Sequence, residues 1–77
     1  MMNINTIITL INNEKYYLLE KVQYNNKTYF LASKMENDNL SIRDSIILEM
    51  LDEDNVSKVT DEHLIYELLK IFKEMIK

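Results

Sequence analysis

Few residues in this chain have the types and spacing that catalysis or metal binding requires. Among its 77 residues there is one histidine, His63, and there is no cysteine. A general base works beside a positioned nucleophile or substrate, and a zinc site uses about four ligands. We therefore interpret His63 as an ordinary surface or capping residue. Without cysteine, the chain has no disulfide, no thiolate metal ligand and no cysteine nucleophile.

A run of acidic residues raises the question of calcium binding. The run consists of Glu49, Asp52, Glu53, Asp54, Asp61 and Glu62. An EF-hand loop needs alternating oxygen ligands with glycine at its sixth position, and the chain has no glycine. The same absence excludes a glycine-rich phosphate loop. We expect a solvated acidic turn in a protein that is not an enzyme and has no cofactor or metal site.

The charge distribution bears on the class of partner. Nine basic residues are scattered singly among thirteen acidic ones, and the net charge is −4. Direct nucleic-acid binding needs a concentrated basic footprint, so we do not expect it. The apolar stretch Ile7–Ile11 has no preceding lysine or arginine and is too short for a signal peptide or a membrane span. With no cysteine present, these features predict a cytoplasmic protein that does not bind membranes.

Asparagine marks the turns, because the chain has neither glycine nor proline and asparagine best tolerates a left-handed backbone. The predicted turns are Asn12-Asn13, Asn25-Asn26, Asn37–Asn39 and Asp52–Asn55. Alternating, β-branched segments between them predict strands. These strands cover about residues 6–12, 15–24, 27–34, 44–51 and, briefly, 56–59.

The second half of the chain predicts one helix and one ambiguous segment. Apolar residues recur at helical spacing over about residues 61–76, with Thr60 as the N-cap. Residues 44–51 fit both a helical stripe and a strand, and residues 35–41 read as a polar loop. The predicted fold is a single α+β domain, residues 1–77. It consists of a four- to five-stranded antiparallel β-sheet packed by one C-terminal amphipathic α-helix.

The central hairpin can be predicted residue by residue. A type I′ turn at Asn25-Asn26 needs positive φ at both positions and pairs Tyr24 with Lys27. Strict alternation would then place Glu20 inside the core opposite a leucine, which is costly. We therefore predict a β-bulge near Glu20-Lys21 that turns Leu19 inward.

This hairpin carries a resemblance to a known family. The segment V-Q-Y-N-N-K-T-Y-F-L, residues 22–31, precedes V-T-D-E and an amphipathic C-terminal helix. This order resembles the bacterial family of small acidic proteins known as domain of unknown function 1292, whose hairpin reads F-x-Y-x-G-K-x-Y-x-L-L. Asn26 stands where that family has glycine. The resemblance spans about residues 6–76 and implies a fold with Asp44–Leu51 as a strand, but no activity.

The first hairpin suggests an interaction surface. A two-residue loop at Asn13-Glu14 would pair Ile11 with Tyr16 and Thr9 with Leu18. Both faces would then be apolar, with Ile8, Leu10, Tyr17 and Leu19 on the core side. One helix covers one face, so the other becomes a candidate protein-interaction patch. Its residues are Ile7, Ile11, Tyr16, Leu18 and Phe30. The alternative is that residues 35–56 fold back and bury this face.

Two functions remain open from the sequence. The first is a small non-catalytic protein-binding adaptor or regulator, using this patch or a sheet edge. Its simplest partner is a second copy in an isologous homodimer. The alternative is an acidic mobile-element or phage protein that inhibits a nucleic-acid-processing host enzyme by imitating a phosphate track. Thirteen acidic against nine basic residues is a weak excess, which favours the first.

Overall fold

The computed structural model describes residues 3–10, 13–36 and 39–75. Five antiparallel strands lie in sequence order in one sheet, followed by one helix. The elements are β1 (Ile7–Thr9), β2 (Lys15–Tyr24), β3 (Lys27–Glu36), β4 (Asn39–Met50), β5 (Val56–Lys58) and α1 (Glu62–Met75). The predicted α+β fold, an antiparallel sheet with one C-terminal helix, is confirmed.

Asparagine supplies the positive φ angles of the backbone. They occur at Asn5 (63°), Asn13 (67°), Asn25 (51°) and Asn26 (65°) among the described residues. The last two connect β2 to β3 and bring Tyr24 opposite Lys27, as the predicted type I′ hairpin requires. The chain thus makes its tight turns without glycine by using the residue that best tolerates this conformation.

A β-bulge in β2 is confirmed, but it lies at Leu19 rather than at the predicted Glu20-Lys21, and Glu20 keeps its position opposite Leu31. Leu18 pairs with Ala32 and Glu20 pairs with Leu31, so Leu19 has no partner in the ladder. Its side chain packs under the helix, as predicted. A bulge bends its strand and increases the local twist, so this residue also helps the sheet to curl.

The sheet has an apolar core on each face. Under α1 lies the helix-side core, formed by Tyr29, Leu31, Ile47, Leu68 and Phe72. The opposite face carries the inner core, formed by Tyr16, Leu18, Phe30, Ala32 and Leu48. The sheet curls into a half-barrel, and half-buried side chains on or next to β1, β4 and β5 pack against the inner core. They are Ile8, Leu10, Ile46, Met50 and Val56.

The hairpin between β3 and β4 is longer than predicted. The polar segment 35–41 was expected to be a loop, but β3 continues to Glu36 and β4 begins at Asn39 rather than at residue 44. Ladder hydrogen bonds join backbone groups, so polar side chains do not prevent pairing here. Lys34 pairs with Ser41 whereas Ser33 pairs with Ser45, which leaves residues 42–44 as an irregularity in β4. The ambiguous segment 44–51 is therefore strand through Met50, and the expected turn residues 37 and 38 lie outside the described residues.

The first hairpin differs from its prediction in register. The predicted pairs, Ile11 with Tyr16 and Thr9 with Leu18, are wrong, because Ile8 lies opposite Tyr16. This three-residue difference moves each side chain of β1 to the other face. Strand β1 is also shorter, Ile7–Thr9 instead of about 6–12.

The loop of this hairpin explains the difference. The N–H of Leu10 donates to the carbonyl of Glu14 (2.8 Å), and the N–H of Asn13 donates to the carbonyl of Leu10 (2.9 Å). The connection therefore has three residues rather than two, and it ends on Asn13 in the left-handed region. This is a common hairpin loop, and its sequence requirements overlap those of the two-residue loop.

The helix begins one residue later than predicted. Its N-cap is Asp61, not Thr60, because the Asp61 carboxylate accepts hydrogen bonds from the N–H groups of His63 (2.9 Å) and Leu64 (3.3 Å). Asp61 and Glu62 also place negative charge near the positive end of the helix dipole. Leu68 and Phe72, one turn apart, are the buried side chains that fix α1 on the sheet.

Candidate functional site

The predicted interaction patch is not a surface in this structure. Tyr16, Leu18 and Phe30 are 2%, 0% and 0% exposed, so the expectation that they lie open to a partner is wrong. Ile7 is exposed, and Ile11 lies outside the described residues. The cause is the curl of the sheet, which encloses the face opposite the helix. The alternative, in which residues 35–56 bury this face, is closer to the structure, since β4 and β5 contribute to its cover.

Charged side chains link the start of β2 to β3 and to the edge strand β5. The Glu14 carboxylate, just before β2, lies 3.1 Å from Nζ of Lys34 and 3.4 Å from Nζ of Lys58 on β5. The Tyr16 hydroxyl donates to Glu14 at 3.3 Å, and Nζ of Lys58 lies 5.7 Å from the centre of the Tyr16 ring. The pKa of Lys58 is raised, mainly by its hydrogen bond with Tyr16. These partly exposed pairs add little stability, but Glu14 and Lys58 both contact Tyr16, a member of the inner core.

The acidic turn between β4 and β5 forms its own hydrogen bonds. The Asp52 carboxylate accepts from the N–H of Asp54 (2.9 Å) and from the side-chain amide of Asn55 (2.9 Å). The bond from Asn55 is the main cause of the lowered pKa of Asp52. No group of three or more histidine, cysteine or acidic residues within the described ranges is arranged to hold a metal ion. The turn therefore acts as a connector in this geometry.

Two depressions in the described surface are large enough to admit water. One, of about 150 Å³, lies between α1 and β4 and is smaller than the roughly 300–1,000 Å³ typical of small-molecule pockets. The other, of about 620 Å³, lies beside the Asn25-Asn26 turn and is wide open. Its charged groups Lys27 and Glu49 pair with each other at 3.4 Å. Neither depression presents convergent polar groups to a ligand.

The backbone of β1 presents a free edge. The carbonyl of Thr6 accepts from the N–H of Leu18 (2.9 Å), and the N–H of Leu10 donates to the carbonyl of Glu14, just before β2 (2.8 Å). Backbone groups alternate in direction along an antiparallel strand, so those of Ile7 and Thr9 point away from β2. Strand β1 is the first in the sheet order, and no backbone partner for these groups occurs in the described part of the chain.

The side chains along this edge carry no charge, and two of its isoleucines are exposed. Ile7 is 52% exposed and Ile4 is 38% exposed, and residues 3–10 contain no charged residue. The segment is anchored at Asn5, whose N–H donates to the carbonyl of Leu18 (2.7 Å) and whose side-chain oxygen accepts from the Tyr17 hydroxyl (3.2 Å). The edge is therefore held in place while its outer side stays open.

Strand β5, at the other edge of the sheet, differs from β1 because it carries a charged side chain. The N–H of Val59 donates to the carbonyl of Ile47 (2.9 Å), which fixes the alternation so that Val56 and Lys58 point their backbone groups outward. Here a lysine lies on the edge itself, and the acidic turn 52–54 precedes it. Edge lysines and nearby charges discourage strand addition, so β1 is the better candidate.

Sequence reasoning found part of this site. A sheet edge was one of the two surfaces predicted, and Ile7 was among the candidate residues. Ile4 and the outward backbone groups of Thr9 were missed. The signal for them is the uncharged, β-branched run before residue 10, in a position where edge strands usually carry a protecting charge.

Comparison with known proteins identified no relative: no family model, no curated protein and no solved structure matched the chain. No helix in the described ranges is long and apolar enough to cross a membrane.

Proposed function

We propose that this protein acts by binding other proteins, without catalysing a reaction, and that a partner adds an extended segment to the free edge of β1. The observation that carries the proposal is the outward direction of the backbone groups of Ile7 and Thr9 on an edge without charge. Strand addition uses such groups for affinity and the neighbouring side chains for specificity.

The partner segment is expected to be apolar or neutral. Ile7 offers an exposed side chain as an anchor, and residues 3–10 offer no charge for an acidic or basic segment to pair with. A second copy of the chain is one such partner. The cytoplasmic location and the relation to domain of unknown function 1292 remain part of this proposal, supported by the absence of cysteine and by the hairpin at residues 22–31.

The alternative function, inhibition by imitation of a phosphate track, has less support. Such an inhibitor needs carboxylates that are free and aligned. Glu14 contacts two lysines, Glu49 contacts Lys27, and Asp52 is occupied by its own turn. We therefore favour binding at the β1 edge.

The test is quantitative affinity purification with matched variants. Ile7→Lys places a charge on the edge, and Gln23→Lys places the same charge at an exposed position of β2. Wild type and Gln23→Lys should recover the same partner in equal amounts, with at least tenfold less on Ile7→Lys. Equal recovery by all three folded proteins, checked by circular dichroism, would contradict the proposal.

A further inference from the structure

The alternation of backbone groups along β1 limits how a second β1 strand can pair with it. Only Ile7 and Thr9 of this three-residue strand present an N–H and a carbonyl outward. Two antiparallel copies can therefore align in three ways. Ile7 lies opposite Thr9 of the other copy, Ile7 lies opposite Ile7, or Thr9 lies opposite Thr9.

The first alignment satisfies more of these groups. It forms two reciprocal pairs, Ile7 with Thr9 and Thr9 with Ile7, each with two hydrogen bonds, inside the regular strand. The second forms one such pair and places Thr9 opposite Asn5, whose φ of 63° takes it out of the extended conformation. The third also forms one such pair and places Ile7 opposite position 11, which lies outside the strand Ile7–Thr9. The geometry thus selects a register with its two-fold axis at Ile8.

Two further features favour a second copy of the chain as the partner at the β1 edge. They are the absence of charge along β1 and the way in which a symmetric pair covers both β1 edges. Each chain has a net charge of −4, yet residues 3–10 have none, so two copies can approach along β1 with the least repulsion. In the symmetric pair each β1 edge covers the other, and the remaining β5 edges carry Lys58. The assembly therefore stops at two chains instead of growing into a fibre.

We propose that two copies of this protein pair through their β1 edges, antiparallel about Ile8, to form one continuous sheet. This inference rests on the proposed function, because it names the occupant of the same edge. A three-residue strand buries far less than the roughly 800 Å² per partner of a standard interface. The dimer is consequently weak, with a Kd of roughly 0.1–1 mM.

Sedimentation equilibrium on the purified chain tests this pairing. From 10 µM to 1 mM, the average mass of the wild type should rise from the monomer value of 9.3 kDa toward twice that value. Thr9→Pro removes an outward N–H that β2 does not use and should weaken the dimer at least tenfold. Val56→Pro removes the corresponding outward N–H on β5 and should leave it unchanged.

Two results would overturn the inference. One is a wild type that stays monomeric at 1 mM. The other is a dimer that Thr9→Pro leaves intact, with Thr9→Lys as the second variant should the proline substitution unfold the protein. A monomeric wild type would leave the proposed function standing, because the loss of partner recovery on Ile7→Lys tests that function separately.

Discussion

The two faces of the sheet are both apolar, but they are buried by different means. The helix-side core is covered by α1, through Leu68 and Phe72. The inner core has no helix over it in the described part of the chain, yet Phe30 and Leu48 are fully buried because the sheet curls around them. A two-layer sandwich of sheet and helix would leave this second face open. The comparison teaches that both sheet faces are covered in the described part of the chain, which is why we propose an edge as the site where a partner binds.

Phenylalanine provides a matched test of the two cores and the largest expected effect. The chain has two phenylalanines, Phe30 in the inner core and Phe72 in the helix-side core, and they are 0% and 1% exposed. Replacing either by alanine should cost about 3–5 kcal/mol of the free energy of unfolding. Urea titration followed by circular dichroism measures both. If Phe30→Ala unfolds at the wild-type midpoint, the inner core is open rather than enclosed.

Two adjacent leucines on α1 allow a second comparison, between a buried and a partly exposed side chain. Leu68 is fully buried, whereas its neighbour Leu69 is 37% exposed. Leu68→Ala should cost about 2–5 kcal/mol, most of the stability of a small domain. Leu69→Ala should cost about 1 kcal/mol or less, because much of its side chain stays in water. Equal midpoints for the two variants in urea would show that α1 does not pack on the sheet through this face.

The elements predicted well are those whose local geometry is set by a few residues. Two adjacent asparagines at 25 and 26 demand positive φ at both positions, which fixes the register of β2 against β3. That register places Glu20 opposite Leu31, and the bulge at the next position brings Leu19 under the helix as well. The sequence therefore predicted the pairing of β2 with β3 around this turn residue by residue.

The elements predicted poorly depend on choices that local sequence leaves open. The sequence fits the predicted two-residue loop at Asn13-Glu14 as well as the observed connection, in which Leu10 lies opposite Glu14. The register of β1 differs by three residues between the two, which reverses its faces. The curl of the sheet arises from strand twist and from irregularities such as the one at Ser33 and Lys34. No repeating pattern of apolar residues in the sequence predicts such a curl. For that reason Tyr16, Leu18 and Phe30 were placed on a surface when they form a core.

The Asn25-Asn26 turn joins β2 to β3, two strands that contribute to both cores, and a substitution in it should have the smallest effect on stability. Asn26 has a φ of 65°, a conformation that glycine adopts at no steric cost. Asn26→Gly should leave stability unchanged or raise it by up to about 1 kcal/mol, without altering either core. A thermal melt compares the variant with the wild type. A clear fall in melting temperature would mean that the Asn26 side chain has a role beyond its backbone conformation.

The central claim is that the β1 edge is open in the monomer and becomes paired when a second strand adds to it. Amide hydrogen exchange followed by NMR tests it most directly, at 50 µM and at 1 mM protein. We predict that the amides of Ile7 and Thr9 exchange freely in dilute protein and become protected in concentrated protein, while those of Val56 and Lys58 on β5 exchange freely in both. Protection of Ile7 and Thr9 already in the dilute monomer would contradict the account, because it would mean that the edge is covered by the chain itself.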